Sequence, residues 1–212
     1  MSANPFDYVS QKPQPATPTS KKLVDILQYF VLLLSVMVVV YLFFMIPTQV
    51  DGVSMMPNFQ NDEVLLTNRL IQLVGGEGQL AANYDYQRGD VVVFTRNNQP
   101  DLIKRIVGLP GERVAVKDNH VFINGQKLME DYIDPIVKPT SPGTFLAAGQ
   151  EKIVPAGSYL ALGDNRTNSL DSRSAEVGFV KRSQLRGAPF LRLLPLTNFG
   201  SIPRGNYRLE AQ

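Results

Sequence analysis

Asp101-Leu102-Ile103-Lys104-Arg105-Ile106-Val107-Gly108-Leu109-Pro110-Gly111 reads as a β-strand that runs into a Gly/Pro turn. Side chains alternate along a strand, so Leu102, Lys104 and Ile106 share one face, and Ile103, Arg105 and Val107 the other. Lys104 thus projects between two apolar neighbours, while Arg105 points elsewhere. Other short apolar runs have the same form: Asp62 to Thr67 (DEVLLT), Gly89 to Thr95 (GDVVVFT) and Ser158 to Leu162 (SYLAL). Arg113 to Val116 and His120 to Asn124 flank Lys117-Asp118-Asn119, where Asp118-Asn119 tolerates the left-handed dihedrals of a tight hairpin turn. The 212 residues hold 16 Gly and 15 Pro, which favours many short strands joined by turns over a helical bundle. The expected body is mainly β and antiparallel. Short helices are expected over residues 66–75 and near Ser183 to Leu185, and an irregular loop region over 134–157.

The strands follow a different kind of segment. Tyr29 to Ile46 reads YFVLLLSVMVVVYLFFMI, with no charge and Ser35 as its only clearly polar residue. With Leu23 to Gln28 before it, the segment reaches the roughly 20 residues that span a bilayer. Tyr29, Phe30, Tyr41, Phe43 and Phe44 cluster near its ends, as expected at headgroup depth. Pro47 should end the helix. The exit Met45-Ile46-Pro47-Thr48-Gln49-Val50 offers no small-x-small cleavage site, so the segment reads as an uncleaved single anchor. Lys12, Lys21 and Lys22 put the cationic side at the N-terminus. The tail then stays cytoplasmic and the body is translocated, a single-pass type II arrangement. The expected organisation is a disordered tail (1–22), a transmembrane anchor (23–46), a first part of the main domain (47–111), a β-hairpin and loop insertion (112–157), and a second part of the main domain with the C-terminal tail (158–212).

Composition narrows the chemistry. Without cysteine there is no disulfide, thiolate nucleophile or cysteine metal site. The net charge of +2 is weak and scattered, which gives no reason to expect a nucleic-acid partner. Neither a metal nor another cofactor is expected. Ser54 lies in Val50-Asp51-Gly52-Val53-Ser54-Met55-Met56-Pro57, just past the anchor. A serine hydroxyl needs a base beside it. The single histidine, His120, falls in the hairpin and reads as a solvent-facing turn residue. Lysine is the next candidate base, provided that desolvation lowers its pKa by several units from about 10.4. The apolar flanks of Lys104 suit that. A third run, Gly163-Asp164-Asn165-Arg166-Thr167-Asn168-Ser169-Leu170-Asp171-Ser172-Arg173, could orient such a site through hydrogen bonds. Asp171 and Arg173 are spaced to pair.

These runs resemble the boxes of bacterial type I signal peptidases, the leader peptidases. Ser54-Met55-Met56-Pro57, Gly89-Asp90-Val91-Val92, Lys104 to Gly111 and Gly163 to Arg173 occur in the family's order, and Gly178-Phe179-Val180 fits too. The resemblance spans about Val50 to Arg186. It implies a signal-peptidase-like antiparallel β domain, with Ser54 as nucleophile and Lys104 as general base. It also implies that Ser169 hydrogen-bonds and positions the lysine, that Asp171 and Arg173 form a structural salt bridge, and that Met55 packs beneath the site. The oxyanion hole would rest on the Ser54 backbone N–H. At Gly52 a serine hydroxyl contributes in one form of the family, so another donor is expected here. Asn58 replaces a threonine often found after the proline.

The implied activity is removal of signal peptides from translocated preproteins after an Ala-x-Ala-like motif, at a bilayer. The substrate would lie as an added strand along Thr48 to Gly52 and Asp101 to Lys104. Val50, Asp51, Phe59, Asp101 and Ile103 are the candidate substrate contacts. Two rivals remain. Self-cleaving repressors with a Ser/Lys site would carry a DNA-binding or soluble arm in place of the anchor. A non-catalytic, membrane-tethered β domain would keep its activity as Ser54→Ala.

Overall fold

The structure, a computed structural model, describes residues 18–69, 85–96 and 99–210. Most of the expected tail, and residues 70–75 of an expected short helix, lie outside the described residues. Helix α1 (Pro18–Phe44) begins earlier than expected, so Lys21 and Lys22 belong to its first turns. From Lys21 to Tyr41 it is long and apolar enough to cross a membrane. Leu32, Leu33, Leu34, Val38 and Val39, which point in successive directions around the axis, are all exposed, so the helix presents apolar side chains around its whole circumference.

The body from Phe44 onward forms a second compact unit. Its first strand, β1 (Met45–Gln49), takes the two residues expected to finish the helix. Met45 pairs with Asn68 and Gln49 with Val64 of β2 (Val64–Asn68), and this pairing captures the chain before Pro47 can act as a helix stop. Pro47 is tolerated because β1 is an edge strand. The expected helix at 66–69 is likewise overridden, since Leu66 to Asn68 belong to β2.

Next come β3 (Val91–Arg96), β4 (Gln99–Gly108), β5 (Arg113–Lys117), β6 (His120–Ile123) and β7 (Gln126–Glu130). After them come β8 (Lys152–Ile153), β9 (Ser158–Leu162), β10 (Val180–Lys181), β11 (Leu185–Leu194), β12 (Gly200–Ser201) and β13 (Tyr207–Glu210). The body is mainly β, as expected. Among the described residues one sheet runs β1-β2-β11-β3-β4-β9-β10, with β12 on β11, and a second runs β13-β7-β6-β5-β8. The strand pairs are antiparallel. The β5–β6 turn has Asp118 and Asn119 at φ 49° and 60°, the left-handed pair that the hairpin required. A short 3-10 turn covers Arg182–Gln184. Strand β13, in the expected C-terminal tail, zips onto β7, with Tyr207 opposite Glu130.

Two features of the first sheet position the site. Strand β9 is buried at every residue and pairs with β4 from Arg105 onward. Residues Leu102 to Lys104 pair only with β3, which leaves their other edge open. Beneath them Val50, Met55, Phe59, Leu65, Val91, Val93 and Ile103 form one apolar cluster. The Ser54 loop therefore rests on the same core as β4.

Buried ion pairs knit the loop after β9 to the body. Arg166 Nη1 donates to Glu130 Oε2 at 2.6 Å, and both side chains are withdrawn from water. Removing one member strands the other as an uncompensated buried charge. Glu130→Ala is expected to destabilise the protein by about 3–5 kcal/mol. Arg113→Ala, which removes an exposed pair with Glu151 at 3.8 Å, should change stability by less than about 1 kcal/mol. Chemical denaturation of both variants checks the contrast.

Candidate active site

The Ser54 loop and β4 bring together side chains fifty residues apart: Lys104 Nζ lies 2.7 Å from Ser54 Oγ. The same nitrogen donates to the Ile103 carbonyl at 2.8 Å. Lys104 is 1% exposed. Burial pushes its ammonium down to about 8, with the charges of Asp171 and Asp164 pulling upward and that of Arg96 downward. About a tenth of such a lysine is neutral at pH 7, against less than a thousandth for a free one. Once neutral, Nζ carries a lone pair within hydrogen-bond distance of the Ser54 hydroxyl, so the pair can move a proton from oxygen to nitrogen.

The loop after β9 forms the wall behind this pair. Gly163 is required there by close approach, since a Cβ would stand 2.5 Å from the Ser54 carbonyl oxygen and 2.2 Å from Ser169 Oγ. The Asn165 N–H donates to the Ser54 carbonyl at 3.0 Å. Asp171 and Arg173 form the expected pair, with two bonds of 2.8 Å. Burial alone would raise the Asp171 carboxyl. Arg173, with the N–H groups of Gly163 and Arg173, outweighs it and holds the group below the ordinary carboxylate range. Ser169 differs from expectation. Its Oγ is buried beside Gly163 but forms no hydrogen bond. The Lys104 bonds run to Ser54 and Ile103 instead.

Several contributors escaped the sequence reading. Arg105 reaches from β4 to Asp164 with bonds of 2.9 and 2.6 Å, and its guanidinium lies 4.3 Å from the centre of the Tyr132 ring. Asn58 donates to Asp164 Oδ2 at 2.9 Å and to the Tyr132 carbonyl at 2.7 Å, tying the Ser54 loop to the Gly-Asp-Asn loop. The departure from threonine at this position thus has a structural use. Its signal in the sequence was only an amide where a hydroxyl was expected.

Gly52 offers nothing to an oxyanion. It has no side chain, and its N–H is taken by Asn61 Oδ1 at 2.7 Å. The Ser54 N–H is unpaired among the described residues. A narrow cleft of about 60 Å³ runs past the pair, lined by Thr48 to Asp51, Met55, Val93 and Asp101 to Lys104. Val50, Asp51, Asp101 and Ile103 therefore stand where substrate contacts were expected. Phe59 does not. It is buried in the core under the Arg192 guanidinium and borders a larger hollow of about 270 Å³ that contains neither Ser54 nor Lys104. Met55 is buried and lines the same cleft. His120 lies on β6 in the other sheet, bonded to the Asp118 carbonyl, and takes no part. Among the described residues no cluster of His, Cys, Asp and Glu could hold a metal ion.

Residues 23–194 match the family model described as signal peptidase, peptidase S26. The chain belongs to this family. It is 35% identical to signal peptidase I of Bacillus caldolyticus over 156 residues, 71% of this chain and 80% of that protein. It is 30% identical to signal peptidase IB of Staphylococcus aureus (strain COL) over 188 residues, 82% and 93% of the two chains. A crystal structure of a signal peptidase I from Enterococcus faecalis V583 matches 49% of this chain and 96% of its own at 36% identity, with a TM-score of 0.40. The signal peptidases of this family are peptidases, and so is this chain.

The depressed Lys104 has a consequence for this signal peptidase that is independent of turnover. Its folded pKa lies below the unfolded value, so between about 8 and 10.4 the folded state binds fewer protons. Stability from this group must therefore rise with pH across that window and be lowest below it. Relative to Lys104→Met, the wild type should gain about 2–3 kcal/mol between pH 7 and pH 10.5. Denaturation of the two proteins in detergent at both pH values measures this, and parallel curves would show an unshifted lysine.

Proposed function

We propose that this signal peptidase is a membrane-anchored serine endopeptidase that cuts translocated preproteins after a small-x-small (Ala-x-Ala) motif, with Ser54 as nucleophile and neutral Lys104 as general base. The observation that carries the reading is the 2.7 Å contact between Ser54 Oγ and a lysine nitrogen withdrawn from water. Lys104 takes the Ser54 proton as Oγ attacks the scissile carbonyl. The protonated lysine returns that proton to the leaving amine as the C–N bond breaks, leaving an ester on Ser54. Lys104 then takes a proton from water, hydroxide adds to the ester carbon, and the carboxyl product departs as Oγ is reprotonated. Asp171 and Arg173 hold the wall of the site.

The substrate backbone is proposed to add as a strand between Thr48–Gly52 and Asp101–Lys104, where β4 has an open edge. The cleft is narrow, about 60 Å³, and is lined in part by the apolar side chains of Val50, Met55, Val93 and Ile103, which supports the small-x-small preference. Helix α1 supports anchoring, and the lysines at its start support a cytoplasmic N-terminus with the body across the membrane. The organisation into an anchor, a catalytic region in two parts and an intervening β insertion is part of the same proposal.

Cleavage of a labelled preprotein in detergent or vesicles tests it. Ser54→Ala and Lys104→Ala should each lose at least about 10³-fold in rate while remaining folded, and Lys104→Arg, always charged, should be equally inactive. Wild-type kcat/KM should fall as pH drops through about 8, because protonation removes the base. Release of mature protein by Ser54→Ala at the wild-type rate would instead favour a tethered, non-catalytic binding domain.

A further inference from the structure

The geometry points to Asn165 as a positioning residue that orients and polarises the Val53–Ser54 peptide, so that the Ser54 N–H can serve as oxyanion donor where position 52 supplies none. This deepens the Ser54 acyl-transfer mechanism proposed above and rests on it.

A trans peptide unit is planar, with its C=O and N–H pointing in opposite directions. The Val53–Ser54 bond is trans, since the cis bonds of the described structure precede Pro57 and Pro195. Its oxygen, on Val53, accepts from Asn165 Nδ2 at 3.2 Å and from the Met56 N–H at 3.1 Å. Its N–H, on Ser54, must then point away from the Asn165 loop, and it has no partner among the described residues. Anchoring the oxygen fixes the plane in which the N–H lies. Donation to the oxygen also draws electron density toward it and makes the N–H on the same peptide a better donor.

The Asn165 amide is itself held. Thr167 Oγ1 donates to Asn165 Oδ1 at 2.9 Å, which turns the NH₂ toward Val53. The Asn165 backbone N–H grips the next carbonyl, that of Ser54, at 3.0 Å. One residue therefore holds two successive carbonyls of the nucleophile loop. From the other side, Asn61 Oδ1 takes the Gly52 N–H. That bond removes residue 52 as a donor and leaves the Ser54 N–H to meet the developing negative charge.

The test separates transition-state binding from ground-state binding. Full-length wild type, Asn165→Leu and Asn165→Ala are purified in detergent, so that a folding failure of one variant leaves the other. Each is titrated with two inhibitors of the same Ala-x-Ala peptide, one ending in an aldehyde and the other in the corresponding alcohol. The aldehyde forms a hemiacetal: Ser54 Oγ bonds to the carbonyl carbon, Lys104 takes the hydroxyl proton, and the former carbonyl oxygen becomes the oxyanion. The alcohol cannot form one. The expected result is a loss of about tenfold or more in kcat and in aldehyde affinity, with KM and alcohol affinity changed by less than about twofold. Equal losses for both inhibitors would mark Asn165 as a structural residue of the cleft, and no loss for either would mark it as dispensable. Both outcomes overturn the inference. Failure of the underlying mechanism is distinguishable, because Ser54→Ala would then keep wild-type cleavage before any Asn165 variant is considered.

Discussion

A lysine taken out of water is the constraint around which this site is arranged. Charged, Lys104 would need hydration or a counter-ion. Packed between apolar neighbours on β4, it has neither in direct contact, and burial outweighs the upward pull of the nearest carboxylates. Asp164 and Asp171 could have undone this. Each is instead gripped by an arginine with two bonds, Asp164 by Arg105 and Asp171 by Arg173. With their charge directed into guanidinium groups, the carboxylates can shape the loop without returning Lys104 to its ordinary pKa. The same β4 thus carries a lysine that must lose its charge and, on the next residue, an arginine that must keep it. Strand alternation separates them onto opposite faces.

Buried ion pairs are poor sources of net stability, because desolvation of the two charges offsets most of their attraction. Here they provide fixed geometry. Asp171 also accepts the Gly163 N–H at 3.0 Å, and Gly163 abuts the Ser54 carbonyl. Asp164 holds Asn58, four residues beyond Ser54. Arg166 reaches back to Glu130 on β7 and so ties the loop to the second sheet. A run of residues that would usually be a solvated turn has become a rigid plate between two sheets. Its polar groups are satisfied mainly by one another and by nearby main chain.

How much of this was legible in the sequence depended on whether the information was local. Runs bounded by turn residues revealed β3, β4, β9 and the β5–β6 hairpin, because alternation and turn chemistry act within a few residues. The anchor was legible for the same reason, although its ends were not. Pairing of Met45 with Asn68 decides where the helix stops, and nothing near Pro47 announces that partner. The helix expected from residue 66 failed likewise, since β2 is recruited by β1 and by the distant β11. In the site, Ser54 and Lys104 stood out by residue type and setting, and the spacing of Asp171 and Arg173 invited a pair. Phe59 lies in the core and outside the cleft, a distinction its sequence setting does not carry, because an aromatic near Ser54 looks the same in either place. The Arg105–Asp164 and Asn58–Asp164 contacts span 59 and 106 residues, and no local pattern encodes them.

A small cleft and a membrane anchor are complementary parts of the proposed function. A cleft of about 60 Å³ makes few side-chain contacts, and pockets that only exclude bulk discriminate weakly between similar sequences. Main-chain bonds along an open strand edge add affinity but little sequence information. Such a site in free solution would bind many exposed small-residue peptides poorly and none of them well. Confinement beside a bilayer changes that balance. A substrate held by its own apolar segment and an enzyme held by α1 meet in a thin layer, where effective concentration replaces part of the missing affinity. On the proposed reading, selection is shared between the cleft, which would read residue size, and the membrane, which would bring together only chains that carry an apolar leader.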